Sequence, residues 1–179
     1  MARFFHVHSI LSHYYLDDWQ FFEHLRRLLL INQPHILQVI RSLGWIINEP
    51  KSHLEIEQHS VYIGSHYQLD VGLVFPTQKR WDKLQAAVTM FLDLNGTSAA
   101  TWSGLLGILT STQEVTPLGR LMVRDLQFHV NKFWRNRANK FAWIPISPQC
   151  KEWLRWWLNP HNVMCGVPLH HPPPDHILY

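Results

Sequence analysis

Two adjacent carboxylates, Asp17 and Asp18, interrupt the aromatic and aliphatic run "SHYYLDDWQFF" at Ser12 to Phe22. Like charges a few ångströms apart repel, and at least one of them resists ionisation unless a cation compensates. A divalent metal does so, since Mg²⁺ takes one or two carboxylates together with substrate phosphates and water. Pairs of such ions clamp the attacking and leaving oxygens in nucleotidyl transfer. The flanking segments "HSILSHYY" and "WQFF" read as strands around a tight acidic turn, a hairpin that carries the carboxylates at its tip. The competing reading of an Asp-Asp pair is a plain polar turn.

The elements that must hold this hairpin follow from caps and periodicity. "NQPHILQVIRSLGWIIN" predicts a helix with Asn32 as cap, Pro34 in its first turn and Gly44 as its stop, with Ile36, Val39, Ile40 and Leu43 on one face. "HSVYIGSHYQLDVGLVFP" predicts two strands about a turn near Gln68 to Asp70, closed by Pro76. After Pro76 the period becomes helical. Trp81, Leu84, Val88, Phe91 and Leu92 share one face, Ser98 precedes a run with Leu105, Leu106 and Leu109, and "PLGRLMVRDLQFHVNKFWRNRANK" continues the pattern. Ser147 and Pro148 open a last helix that stops at Pro160. The architecture expected is α+β: a β-rich part with one helix to residue 75, a helical part over residues 76–160, and a Pro/His-rich linker over 161–179.

Composition narrows the function classes. With 179 residues and 46% hydrophobic content the chain can bury a core. Its longest apolar run, "LRRLLLI", is far short of the roughly 20 residues that span a bilayer, and "MARFFHVHSILSHYY" lacks a signal-peptide core and cleavage site. An intracellular protein, cytoplasmic or nuclear, with no membrane partner is therefore expected. Two cysteines make no disulfide framework. Cys150, Cys165, His170 and His171 are zinc-ligand types, but their spacing matches no finger or ribbon, and His6, His8, His13 and His24 form no ligand pattern.

Charge is distributed unevenly. Residues 1–75 hold five Lys/Arg against seven Asp/Glu, whereas residues 115–155 hold eight against two. Such a bias favours an anionic partner, nucleic acid first. On a helix running from Pro117, Arg120, Arg124, Asn131 and Arg135 fall within about 60° of one another at 100° per residue, a stripe suited to phosphates; a solvated basic face is the alternative. Trp153, Trp156 and Trp157 read as core rather than as base-stacking platforms.

"YYLDDW" has the form Tyr-x-Asp-Asp between hydrophobic strands and resembles the metal-binding motif of reverse transcriptases. The order that follows, "SLGWIINEPKSHLEIEQHSVYIGSHY", is similar to that of the LTR and DIRS-like retrotransposon enzymes over residues 10 to 80, with Lys51-Ser52 and Tyr62-Ile63-Gly64 at matching places. "PLGRLMVRDLQ" and the Trp-rich helix resemble the DIRS-like elements less specifically. The resemblance implies a partial polymerase palm over 1–75 (hairpin, helix, hairpin), a thumb/connection region over 76–160, and a linker towards a missing RNase H domain.

It also implies roles. Asp17 and Asp18 would be metal ligands for Mg²⁺ or Mn²⁺, Lys51 would protonate the departing pyrophosphate, and Tyr15 would pack near the primer terminus. Tyr62, Ile63 and Gly64 would lie on the primer-grip hairpin, with Arg120, Arg124 and Arg135 on the backbone of an RNA/DNA template-primer. The palm needs a further aspartate from an earlier strand, and fourteen residues before Tyr15 do not hold it. The chain alone is therefore expected not to polymerise, to have the remaining polymerase half on another chain, or to serve as a non-enzymatic nucleic-acid-binding module.

Overall fold

The computed structural model describes residue 5, residues 10–23 and residues 25–169, and its α+β fold divides into two compact units at 58/59. His6, His8, His24, His170, His171 and the end of the proline-rich tail lie outside the described residues. No helix among the described residues is long and apolar enough to cross a membrane.

The first unit is an antiparallel hairpin, β1 (Leu11–Tyr15) and β2 (Asp18–Phe22), with one helix, α1 (Arg26–Ser42), and a 3₁₀ turn at Glu49–Lys51. Its small core gathers Phe5, Ile10, Ile36 and Ile40, with Trp19 and Phe21 against it. Ile36 and Ile40 lie one turn apart, so the helix presents a single narrow apolar stripe. The helix starts at Arg26, not at Asn32, and Pro34 sits inside it. The run "LLLI" has no polar interruption to show a period, so the first two turns were not visible as helix. Pro34 lacks the N–H that would reach the Leu30 carbonyl, a defect an exposed turn leaves to water. The far end matches expectation: Gly44 at φ 83 follows the last turn, its N–H donates to the Arg41 carbonyl (3.0 Å), and the Trp45 N–H donates to that of Ile40 (3.3 Å). These two bonds form a Schellman cap.

The second unit combines a four-stranded antiparallel sheet with a helical core. The sheet runs in the order β3 (His59–Tyr62), β4 (Ser65–Gln68), β5 (Leu73–Pro76), β8 (Val167–Pro168). The expected two strands are three, because a turn at Ile63-Gly64 splits the first; the second turn spans residues 69–72, and β5 ends at Pro76. The first residues of the expected linker are folded, as α6 (Pro160–Val163) and β8.

Helices α2 (Gln78–Leu92), α3 (Ala99–Gln113), α4 (Gly119–Phe133) and α5 (Pro148–Trp156) surround a core that includes Leu84, Val88, Phe91, Trp102, Leu105, Leu109, Leu126, Leu154 and Trp157. Thr77, Ser98 and Ser147 cap α2, α3 and α5 by accepting backbone N–H bonds. Each cap satisfies an otherwise orphaned amide and fixes where its helix starts. Pro160 does not merely end α5; it opens α6, with Asn159 as cap. A short ladder of β6 (Gly96–Ser98) with β7 (Trp143–Pro145) closes the core, and the Trp102 indole N–H donates to the Ile144 carbonyl (3.4 Å). Trp157 is fully buried, and Trp153 and Trp156 pack partly buried against the same core.

Candidate functional site

The carboxylates lie where a two-residue loop puts them. Tyr15 pairs with Asp18, leaving Leu16 and Asp17 as the loop. Leu16 has φ 54 and Asp17 has no positive φ, the sign pattern of a type II′ hairpin turn, which normally gives the first place to glycine. Only Asp17 is at the tip; Asp18 begins β2 inside the ladder. Directly paired residues share a face, so Asp18 lies with Tyr15, His13 and Gln20, while Tyr14, Trp19, Ser12 and Phe21 form the other face. That second face packs inward: Tyr14 stacks on Trp19 (centroids 5.3 Å apart) and Phe5 meets Phe21 edge-on (5.1 Å).

Asp17 and Asp18 are both exposed, as are Tyr14, Tyr15 and Leu16 around them. Both carboxylates therefore sit at the surface rather than within a buried strand. Their oxygens are the hard donors Mg²⁺ takes, and one or two carboxylates suffice when phosphates and water fill the remaining positions. Among the described residues no group of three or more metal-ligating side chains forms. Cys150 is buried, with its sulfur on the Ser147 hydroxyl at 3.2 Å, and Cys165 is exposed. Lys51 is exposed, on the 3₁₀ turn that Arg41 and Glu49 brace with a 2.9 Å ion pair.

The Tyr62-Ile63-Gly64 segment forms the β3–β4 turn of the second unit. Ile63 (φ 48) and Gly64 (φ 69) are both left-handed, as a type I′ turn requires. A β-branched residue there is an outlier, because its Cβ crowds the backbone. Arg80, on α2, braces this turn: Nη2 donates to the Ile63 carbonyl (2.8 Å) and Nη1 to the Ser65 hydroxyl (3.2 Å). The Gly64 carbonyl accepts from the Thr77 N–H at 3.4 Å. Burial lowers the Arg80 pKa from its ordinary value and raises that of Tyr67.

Beside this turn α2 and α3 enclose an open cleft of about 620 Å³. Its cationic wall is Lys79, Arg80 and Lys83, and its other wall is a face of α3 formed by Ser103, Gly104, Gly107, Ile108 and Ser111. No carboxylate lines it. Lys79 and Lys83 are exposed one turn apart, and neither is in an ion pair among the described residues, whereas Asp82 accepts from Gln78 at 2.7 Å. Sequence reasoning missed this site. The usable signal was the i, i+4 spacing of the two lysines ahead of a helix rich in small residues, Ser103, Gly104, Gly107 and Ser111.

The expected arginine stripe is reduced. α4 ends at Phe133 with Trp134 as its cap, so Arg135 is off the helix and cannot extend the row. Arg120 is bound to Glu114, which lowers the Glu114 pKa and raises that of Arg120. Arg124 remains exposed on α4, and Arg137 stacks over Trp134 (4.8 Å) and donates to Asn131. Comparison with protein-family models, with curated proteins and with solved structures finds no match to this chain.

Proposed function

We propose that this chain is a nucleic-acid-binding segment of a retrotransposon reverse transcriptase, contributing the second half of the palm and a thumb/connection region. The observation that carries the reading is the Tyr15-Leu16-Asp17-Asp18 hairpin. Its two-residue loop exposes Asp17 at the tip and holds Asp18 in register with Tyr15. Asp17 and Asp18 would hold Mg²⁺ or Mn²⁺, which when bound neutralises phosphate charge and activates a primer hydroxyl. Lys51 supplies a proton to the leaving pyrophosphate, and Tyr15 packs against the primer end. The Tyr62-Ile63-Gly64 turn bears on the primer strand. Two carboxylates are half of what nucleotidyl transfer requires of a palm, so polymerisation needs further ligands from outside this segment, such as another chain. The site of action is intracellular.

A second reading has its own observation. The cleft of Lys79, Arg80 and Lys83 is cationic, open and free of carboxylates, which suits a phosphodiester backbone with no chemistry at all. A non-enzymatic binding module would use it alone, and Arg124 would add to it.

Both readings require salt-dependent binding of the purified chain to an RNA–DNA primer-template duplex; its failure removes them together. With Mg²⁺ present, Asp17→Ala should weaken that binding under the first reading and leave it unchanged under the second; primer extension on an RNA template is a separate check. No extension is expected from this chain by itself. Extension that disappears in Asp17→Ala would make the segment a complete polymerase and overturn the half-site reading.

A further inference from the structure

We propose that Arg80 is a positioning residue: its guanidinium locks the Ile63-Gly64 turn in its left-handed form and thereby sets the wall against which a nucleic-acid strand lies in the α2–α3 cleft. The inference rests on the nucleic-acid reading above and adds to it a residue that the hairpin and the lysines do not supply.

The turn needs a counter-force. Ile63 at φ 48 is β-branched, and such residues leave the left-handed region when nothing holds them there. Arg80 provides two holds from one rigid group, bridging the Ile63 carbonyl on one side of Gly64 and the Ser65 hydroxyl on the other. The fit is close. A Cβ at position 64 would stand 2.7 Å from Nη2 and 3.2 Å from Cζ, so the guanidinium occupies the space that glycine leaves open. Lysine, with a single ammonium on a flexible stem, cannot span both acceptors as a planar fork does. The same guanidinium and Gly64 line the cleft with Lys79 and Lys83. The conformation of the turn and the shape of the cleft therefore depend on one side chain.

The test uses the full chain in two arms. In the first, the intraresidue amide–Hα NOE of Ile63, strong only at positive φ, is compared in the wild type, Arg80→Gln and Arg80→Lys. Both variants should weaken it; an unchanged NOE in Arg80→Gln overturns the lock. In the second arm, affinity for a fluorescein-labelled RNA–DNA primer-template duplex is read by anisotropy at several salt concentrations. Arg80→Gln should lose about tenfold, the low end of what a charged hydrogen bond is worth. Ile63→Gly in that background should recover most of the loss, because glycine takes a positive φ without strain.

No recovery, together with a salt slope shallower by about 0.9, would make Arg80 a phosphate ligand and overturn the positioning role. Arg80→Lys keeps the charge. It should show the weakened NOE with an unchanged salt slope, and a full NOE would refute the need for the fork. If the wild-type chain binds no duplex, the nucleic-acid reading falls and the binding half of the inference with it, while the NOE arm still decides whether Arg80 holds the turn.

Discussion

Replacing Lys79 and Lys83 together by alanine is the sharpest probe of the cleft, because the structure isolates these two charges. Both lie on the exposed side of α2, one turn apart, outside any ion pair among the described residues, while their neighbour Arg80 is engaged with the β3–β4 turn. Each lysine that neutralises a duplex phosphate adds about −0.9 to the slope of log K against log salt, so two add about −1.8. Raising salt fourfold, from about 50 to about 200 mM, should then weaken the wild type roughly 12-fold more than the double variant. The assay is fluorescence anisotropy with a labelled primer-template duplex over that range. Exposed substitutions of this kind change stability by no more than about 0.5 kcal/mol, so thermal unfolding serves as the control for intact folding. Parallel salt slopes for the two proteins, with unchanged melting, would show that no phosphate sits in the cleft.

Other predictions test the remaining parts. Gly64→Ala puts a Cβ 2.7 Å from Nη2 of Arg80 at φ 69, and should cost about 1–3 kcal/mol in chemical denaturation of the second unit; a neutral result would mean that the turn rearranges. Leu109→Ala removes a fully buried side chain from the α2–α5 core and should cost about 2–5 kcal/mol by the same measurement. His59 bonds Asp70 at 2.9 Å and holds its carboxyl below its ordinary value. A depressed acid stabilises the fold above its unfolded pKa and loses that contribution as pH falls through the folded one, so the melting temperature should drop below about pH 4, and by less in Asp70→Asn. Coincident pH profiles of the two proteins would remove this pair from the account. Asp17→Asn, at an exposed loop position, should leave melting within about 0.5 kcal/mol of wild type, and a larger loss would assign Asp17 to the fold.

What was legible in the sequence was what a local rule governs. Ser98, Ser147 and Pro148 mark helix starts because a capping hydroxyl and a fixed φ act within one turn, and the α2 apolar face repeats with the helical period. Local rules also misled. Asn32 and Pro34 have the form of a helix start, yet α1 is already two turns old there, since its first turns are read only through the residues that follow. The Ile63-Gly64 turn was hidden because isoleucine is a strand former, and the group that holds it in place, Arg80, lies 17 residues on. Charge counting could not find the cleft: over residues 76–114 Lys79, Arg80 and Lys83 are balanced by Asp82, Asp93 and Glu114, and only the fold sorts them onto different sides. Strands β6 and β7 have three residues each, too few for alternation to register.

The exposure of Asp17 and Asp18 changes what their adjacency means. In water two unit charges about 4 Å apart repel by only about 1 kcal/mol, against many times that in a dry interior. Their repulsion therefore asks for no cation by itself, and the case for a metal rests on the hairpin and on the order of segments that follows it. The register fixes the face on which Asp18 lies. With a loop of two residues, Asp18 is bound to the face of Tyr15, and a slip by one residue would move every side chain of β2 to the opposite face, exposing Trp19 and Phe21. The aromatic packing of the inner face thus fixes the orientation of Asp18 on the outer one. A substitution such as Phe21→Ser, three residues along β2 from Asp18 and on the opposite face, should loosen the register and release Asp18 along with the core. Hydrogen exchange of the β1–β2 amides would detect it, and unchanged protection would show that the two-residue turn alone sets the pairing.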